Sequence, residues 1–455
     1  MTGESIAADP YRADAERVFD PSTYAQGVPF DALARLRRER PVIWVEERPA
    51  LGWPGGPGFW LVLRHAHVEE VLRQAELFSS SLGATQIRDP PTPEALSYVR
   101  RMMLNMDPPE HSRLRRLLAR SFTPRAVARL EDRIRTHARS IVAVVTDGAV
   151  HGACDFAKDV ATDLPLLTLA EVLGMPAADR MLLFDWSNRV IGYQDPDYAT
   201  SSAFDLSSGT PIAREALRQR PALGRDGSMP DPRTRDGMAD LYAYAHLLAH
   251  ERRRQPGSDL MSILLAQVDD DGGQVSIEEF ENMFWLFAVA GNETLRNGIP
   301  GACIALLDHP WAQDELRTNP SRMETAVEEM LRWWTPVMTF RRTAAADCRL
   351  GHVEIRARQK VVVSFTSANR DETVFSEPDR FDIHRYPNPH VAFGHGPHFC
   401  LGAHLARVQM RALFAEVLSQ MGRLEYNGEP VYLCSNFQRG VKRLPIRWSR
   451  MTRSI

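Results

Sequence analysis

The sequence predicts a mainly α-helical fold with small β-sheets. Three observations carry this reading: β-like runs are short and confined to two zones, the long middle of the chain has a helical pattern, and one helix candidate runs from Ser276 to His309. At ~1.5 Å per residue that helix would span about 50 Å, the width of a whole domain.

Taken in order, Val42-Ile43-Trp44-Val45 and Phe59-Trp60-Leu61-Val62-Leu63 flank a Pro/Gly-rich turn and read as a hairpin with a long loop. Residues 82–104 join apolar and Pro-rich pieces with no clear period. Residues 204–237 hold more breakers, with Pro211, Pro221, Pro230 and Pro232 alternating with Gly209, Gly224, Gly227 and Gly237. Arg214, Arg218, Arg220, Arg225, Arg233 and Arg235 share the stretch. A loop of this length is either disordered or functional, so it reads as a surface insertion or as a lid or docking surface. The long helix opens on Ser276 and Glu279 at capping-box spacing and is stopped by Pro310. Its interior Gly291, Gly298, Pro300 and Gly301 are costly and read as a kink near its middle. A second β-like zone runs from Phe340 to Phe365, and the last helix begins just after Cys400.

The chain has 455 residues, 44% hydrophobic and 25% charged, which excludes wholesale disorder. Fifty-five basic and 58 acidic residues give a net charge of −3, so a strongly basic nucleic-acid binder is not expected. The N-terminal MTGESIAADPYRADAERVFD lacks the basic-then-apolar layout of a signal peptide. The most apolar helical segment, Phe284 to Ala290, is far shorter than the roughly 18 residues of a membrane span. Cys154, Cys303, Cys348, Cys400 and Cys434 are scattered and never spaced as CxxC, so neither a disulfide framework nor a zinc cluster is expected. A cytoplasmic protein is the expectation.

The chemistry concentrates in Phe393-Gly394-His395-Gly396-Pro397-His398-Phe399-Cys400-Leu401-Gly402. This Gly/Pro turn delivers one cysteine to the start of an amphipathic helix marked by Leu401, Leu405, Val408 and Leu413. A helix N-terminus favours a thiolate, and free amides can point at the sulfur. A lone cysteine also fits a buried apolar side chain; a lone thiolate fits an axial ligand to haem iron. Phe393-x-x-Gly396-x-His398-x-Cys400-x-Gly402 reproduces the haem-ligand signature of the cytochrome P450 family, and on it the chain resembles a bacterial, soluble member.

The resemblance runs from about residue 20 to 450. It implies one cytochrome P450 domain over 1–455, a triangular prism with haem between the long helix and the cysteine loop. Residues 1–20 would be a flexible tail, and 204–237 an insertion in the substrate-entrance lid. Cys400 would bind the iron of haem b (iron protoporphyrin IX). Ala290-Gly291-Asn292-Glu293-Thr294 resembles the oxygen-binding segment, with Glu293 and Thr294 as the acid–alcohol proton relay and Ala290 and Gly291 against the haem. Glu329-Met330-Leu331-Arg332 resembles the Glu-x-x-Arg that joins the arginine of Pro378-Asp379-Arg380-Phe381, implying a buried triad of Glu329, Arg332 and Arg380. His111 and Arg115, four apart on one helix face, would meet the haem propionates with Arg342 and His398. Phe393 would shield the thiolate, and Gly402 belongs to the same cofactor loop.

The implied reaction is monooxygenation, with O2 as co-substrate and electrons from a separate ferredoxin or flavodoxin met by Arg113, Arg116 and Arg407. Thr335-Pro336-Val337, Phe340-Arg341-Arg342-Thr343-Ala344 and Ser367-Ala368-Asn369-Arg370-Asp371-Glu372 are most like members that oxidise sterol side chains, branched lipids and terpenoids. The expected substrate pocket is Ala290, Thr294, Val337, Met338 and Phe437. Competing readings are a carrier-bound intermediate of secondary metabolism as substrate, a peroxide-driven haem enzyme, and a non-catalytic haem sensor. The intact Glu293–Thr294 pair argues against the last two.

Overall fold

The computed structural model describes residues 10–50, 54–119, 124–191, 194–195, 203–205, 207–225, 230–257, 259–266 and 273–450. It opens with α1 (Pro10–Phe19), α2 (Phe30–Glu39), β1 (Val42–Val45), β2 (Phe59–Val62), α3 (His65–Arg73), β3 (Phe78–Ser79), α4 (Pro93–Val99) and α5 (Glu110–Ala119). The middle holds α6 (Pro124–Thr146), β4 (His151–Asp155), α7 (Asp163–Leu173), α8 (Met181–Ile191), α9 (Pro211–Ala216), α10 (Ala239–Arg254), α11 (Leu260–Ala266) and α12 (Ile277–Asp308). Then come α13 (Pro310–Thr318), α14 (Met323–Trp334), β5 (Thr339–Ala344), β6 (Cys348–Leu350), β7 (Val353–Ile355), β8 (Lys360–Ser364) and α15 (Phe365–Ala368). The chain ends in α16 (Ala403–Gln420), β9 (Arg423–Tyr426), β10 (Val431–Tyr432), β11 (Val441–Arg443) and β12 (Pro445–Ser449).

The expected hairpin forms, with Val42 opposite Val62 and Val45 opposite Phe59. Its β2 pairs in parallel with β8, and β8 in antiparallel with β5, giving a sheet of order β1-β2-β8-β5-β3. Alternation along β5 turns Arg342 inward, while Arg341 donates to Asp89 at 2.6 Å. Lys360 of β8 pairs with the same Asp89 at 2.8 Å and with Glu47 at 2.6 Å, so the 82–104 segment is fastened to the sheet.

The long helix starts where the capping box places it. Ser276 Oγ accepts from the Glu279 amide and Glu279 Oε2 from the Ser276 amide, both at 3.0 Å. The helix is continuous through Gly291 and Pro300. Its small residues allow close approach. A Cβ on Gly301 would lie 2.0 Å from the Trp334 ring, which seats α14 against the helix. The apolar side chains of α6, α7, α12 and α16 form a common core, with Ile134, Leu164, Ile299 and Leu413 buried in it.

Three irregular stretches hold more regular structure than their sequence pattern showed. Residues 10–19 form α1, which buries Ala15, Val18 and Phe19, and only 1–9 of the expected tail lie outside the described residues. The 82–104 stretch contains α4, capped by Thr92 Oγ1. Within 204–237, α9 is nucleated by Thr210 as N-cap with Pro211 at its first turn, and it buries Ala213 and Ala216. Arg233 is buried against Asp231 and the Asp89 carbonyl, and Arg235 lies over the Tyr242 ring and pairs with Glu281. Arg220 and Arg225 remain exposed, while 206 and 226–229 lie outside the described residues.

Candidate active site

The cysteine loop is built by backbone geometry. The Cys400 amide donates to the Phe393 carbonyl at 2.9 Å, closing the loop. Gly396 has φ +70°, and a Cβ there would lie 2.4 Å from the Leu72 carbonyl oxygen, so the loop lies directly on the end of α3. Helix α16 begins three residues after the cysteine, at Ala403. The thiol does not follow the expected direction. Burial pushes it above its ordinary value, outweighing the downward pull of the Gly402 amide, Arg115 and Arg407.

Cys400 opens onto a cavity whose wall brings together His111, Arg115, Ala290, Gly291, Thr294, Val337, Arg342, Phe393, His398 and Gly402. One end is cationic. Arg342 is 2% exposed, and burial holds it down to about 10. Its side chain donates to the Arg341 carbonyl, and among the described residues no carboxylate pairs with Arg342 or Arg115. His111 is held down to about 4, first by burial and then by Arg115 and Arg342. His398 is held down to about 2, by burial and then by Arg342 and His111. The two imidazoles lie 4.0 Å apart, and His111 Nδ1 is buried without a hydrogen-bond partner. Four donors crowded together, with Asp107 as the nearby counter-charge on His111 and Arg342, call for further acidic groups between them. Carboxylates there and a metal at the sulfur would satisfy the whole set, so these residues fit haem.

The opposite wall is apolar. Leu169 and Val172 of α7, Leu286 and Phe287 of α12, Val337 and Phe340 face the cavity. Of the expected pocket residues, Met338 and Phe437 do not line it. The Met338 amide instead donates to the Phe437 carbonyl at 2.9 Å, and the Phe437 ring stacks on Phe340 at 6.0 Å. The missed wall residues carried a signal: Leu286 and Phe287 precede Ala290 by one helical turn, and Phe340 shares a strand face with Arg342.

Thr294 faces the cavity, its hydroxyl donating to the Ala290 carbonyl at 3.0 Å. Glu293 does not. It is fully buried on another face of α12, where Arg296 and Asn297 donate to it at 2.5 and 2.9 Å.

Behind the loop, Glu329 and Arg332 form a fully buried bidentate pair, both contacts at 2.7 Å. The expected third member is corrected: the Arg380 side chain is 62% exposed and pairs with Glu377. Arg385 reaches Glu329 instead, at 3.2 Å, because the turn after Phe381 returns the chain to the pair. The expected docking arginines also separate. Arg407 is bidentate to Glu328 and lies over the Phe393 ring at 4.6 Å, Arg113 pairs with Glu279, and Arg116 is exposed.

A model described as cytochrome P450 matches residues 242–429. The chain is 40% identical to a steroid C26-monooxygenase of Mycolicibacterium smegmatis, over 93% of this chain and 91% of that protein. It is 36% identical to a methyl-branched lipid omega-hydroxylase of Mycobacterium bovis, over 92% of this chain and 90% of that protein. The structure of a Mycobacterium marinum cytochrome P450 in complex with pseudoionone is 38% identical and superposes with a TM-score of 0.80, covering 98% and 99% of the two chains. Among the described residues no helix is long and apolar enough to cross a membrane.

Proposed function

This chain belongs to the cytochrome P450 family, and on that premise we propose that it hydroxylates the hydrocarbon end of a terpenoid, steroid or branched lipid. It is a haem-thiolate monooxygenase with haem b as cofactor, using O2, an electron donor and a hydrophobic small molecule. Bound haem supplies the iron at which dioxygen is activated.

The chain supplies everything around it. Cys400 would bind the iron through its sulfur, and Arg115, Arg342, His111 and His398 would hold the carboxylates of the cofactor. Phe393, its ring covered by the Arg407 guanidinium, keeps water from the sulfur. Ala290, Gly291 and Gly402, all small, would leave room for it in the cavity that they line. The Thr294 hydroxyl holds a proton inside the cavity, with Glu293 as the acid that recharges it. Glu329 and Arg332 brace the loop.

The substrate reading rests on polarity. Every titratable side chain among the described cavity residues (His111, Arg115, Arg342, His395, His398 and Cys400) lies on the cofactor side, against an apolar opposite wall. A ligand therefore enters hydrocarbon end first, because a charged end would lose its hydration without a partner. Val337 and Thr294 contact it, and Met338 and Phe437 back the wall. Electrons come from a separate ferredoxin or flavodoxin docking near Arg116, in the cytoplasm, with the whole chain acting as one catalytic domain.

The single observation that carries this reading is Cys400 and Thr294 facing one cavity with the cation cluster beside them. Purified protein, reduced under carbon monoxide, is expected to show the red-shifted band of thiolate ligation, and Cys400→Ser to lose it. A steroid, terpenoid and branched-lipid panel is then titrated by the spin-state shift. An imidazole-type spectrum refutes the ligand assignment, and a panel without a shift refutes the substrate class.

A further inference from the structure

Asp107 does not line the cavity, yet it is tied to each element that builds the cationic end. Its carboxylate gathers the corner where β3 ends. Oδ2 accepts from Ser79 Oγ at 2.5 Å and from Ser81 Oγ at 2.7 Å, and Oδ1 from the Ser80 amide at 2.8 Å. Each part of that corner leads to a wall residue. Ser79 pairs with Thr343, the strand neighbour of Arg342. Ser80 is 1% exposed, and its Oγ lies 3.4 Å from His398 Nε2. The Asp107 carbonyl accepts from the His111 amide at 3.0 Å, at the start of the helix that carries His111 and Arg115.

Every hydrogen-bond donor to this carboxylate among the described residues is neutral, so no ion pair cancels its charge. The other charged groups on these elements are engaged elsewhere or point to solvent. Arg100 donates to the Ser81 and Leu82 carbonyls, Arg113 pairs with Glu279, Arg341 with Asp89 and His395 with Glu69, while Glu110 and Arg116 are exposed. Asp107 therefore acts on Arg342 and His111 through space, pulling both upward against burial. A carboxylate bonded to Arg342 would compete with the carboxylates of a bound cofactor. One held off by serines eases the repulsion between Arg115 and Arg342 and leaves their N–H groups free. With both imidazoles neutral at pH 7, the empty site carries a formal +1 from two guanidiniums and Asp107, and two cofactor carboxylates turn it to −1.

We infer that Asp107 is a positioning residue of this site, and that its uncancelled charge lowers the reduction potential of the bound haem. The inference rests on the haem reading above. Adding one electron to the cofactor makes its charge more negative by one, with no bond made or broken in the protein. A third carboxylate beside the site opposes that step, and the serine corner fixes where this carboxylate stands.

The test compares Asp107→Asn, Asp107→Glu, Asp107→Gln and a Ser79→Ala, Ser81→Ala double variant, each loaded with haem. Spectroelectrochemistry reads the reduction potential, transfer to apomyoglobin the rate of haem loss, and urea unfolding of the apoprotein its stability. Asp107→Asn is expected to favour the reduced state by about 3- to 10-fold, tenfold being about 59 mV for one electron, and by less at high salt. Asp107→Glu and Asp107→Gln differ from each other only in charge, so a similar factor should separate them. That pair keeps the test open should Asp107→Asn fail to load haem. The serine variant keeps the carboxylate, and it should lose haem about 3- to 10-fold faster with its reduction equilibrium within about twofold of wild type. A purely structural role would lower the urea midpoint of Asp107→Asn and leave its potential at the wild-type value, which overturns the inference, as does a potential that falls. A serine variant that loses haem at the wild-type rate overturns the positioning role. An imidazole-type carbon-monoxide spectrum in the wild type removes the haem-thiolate reading itself, and the inference with it.

Discussion

Replacing Arg385 by methionine, with Arg380→Ala as its partner, separates the geometry at Glu329 from what the local sequence pattern implies. Glu329 has no exposed surface and accepts from Arg332, Arg385, the Asp382 amide and Asn388. Removing both cations from such a carboxylate would cost on the order of 3–5 kcal/mol. Arg385→Met leaves Arg332 in place but also deletes donors to the Ser376, Glu377 and Arg380 carbonyls, at 2.7, 3.2 and 3.1 Å. Those carbonyls lie near the surface and regain water, so the expected loss is about 2–4 kcal/mol, or about 30- to 1,000-fold in the folding equilibrium. Arg380 forms an exposed i,i+3 pair, and Arg380→Ala should cost no more than about 0.5 kcal/mol. Urea unfolding at pH 7.5, followed by tryptophan fluorescence, reads both. An Arg380→Ala midpoint as low as that of Arg385→Met would refute the assignment.

Gly396→Ala forces a Cβ into the Leu72 carbonyl at a positive φ and is expected to abolish a folded cysteine loop, read as loss of haem absorbance relative to protein. Gly402→Ala meets nothing within 4 Å in the protein itself, so the apoprotein should keep its stability while haem affinity falls. His111, ordinarily near 6.5, is held down to about 4 by burial and by its arginine neighbours, so the unfolded chain binds its proton first. The apoprotein should therefore lose stability as the pH falls from about 6.5 through 4, and His111→Gln should flatten that part of the urea-midpoint profile. Val337→Phe places a ring in the apolar wall and is expected to weaken a bulky steroid at least about tenfold while sparing the carbon-monoxide band.

Local rules carried much of this molecule. Ser276 and Glu279 marked the start of the long helix, His111 and Arg115 shared a face because they are four apart, and the spacing around Cys400 located the cavity floor. Direction and distance were harder. Pro378-Asp379-Arg380-Phe381 offered an arginine, yet only the return of the chain after Phe381 decides that Arg385 reaches Glu329. The thiol was expected to be lowered by a helix end; the Gly402 amide at that end does pull it down, but burial outweighs it. Met338 was placed in the wall where Phe340 stands, although alternation from Arg342 pointed to Phe340. In 204–237 the density of Pro and Gly concealed a Thr210-Pro211 helix start, and the arginines looked available when several are folded inward.

Strand β5 carries adjacent arginines with opposite errands, Arg341 outward to Asp89 and Arg342 inward to the cavity. Inserting or deleting one residue between Trp334 and Phe340 would exchange them, sending the anion-seeking guanidinium to the wrong side of the sheet and the aromatic wall with it. Length is therefore quantised on this stretch in steps of two, whereas the β6–β7 ribbon downstream pairs, among the described residues, only with itself, and its exposed Gly351–His352 turn can take added residues while Leu350 and Ile355 stay buried. Homologues and engineered chimeras should record that difference as indels gathered in the ribbon and excluded from the approach to β5.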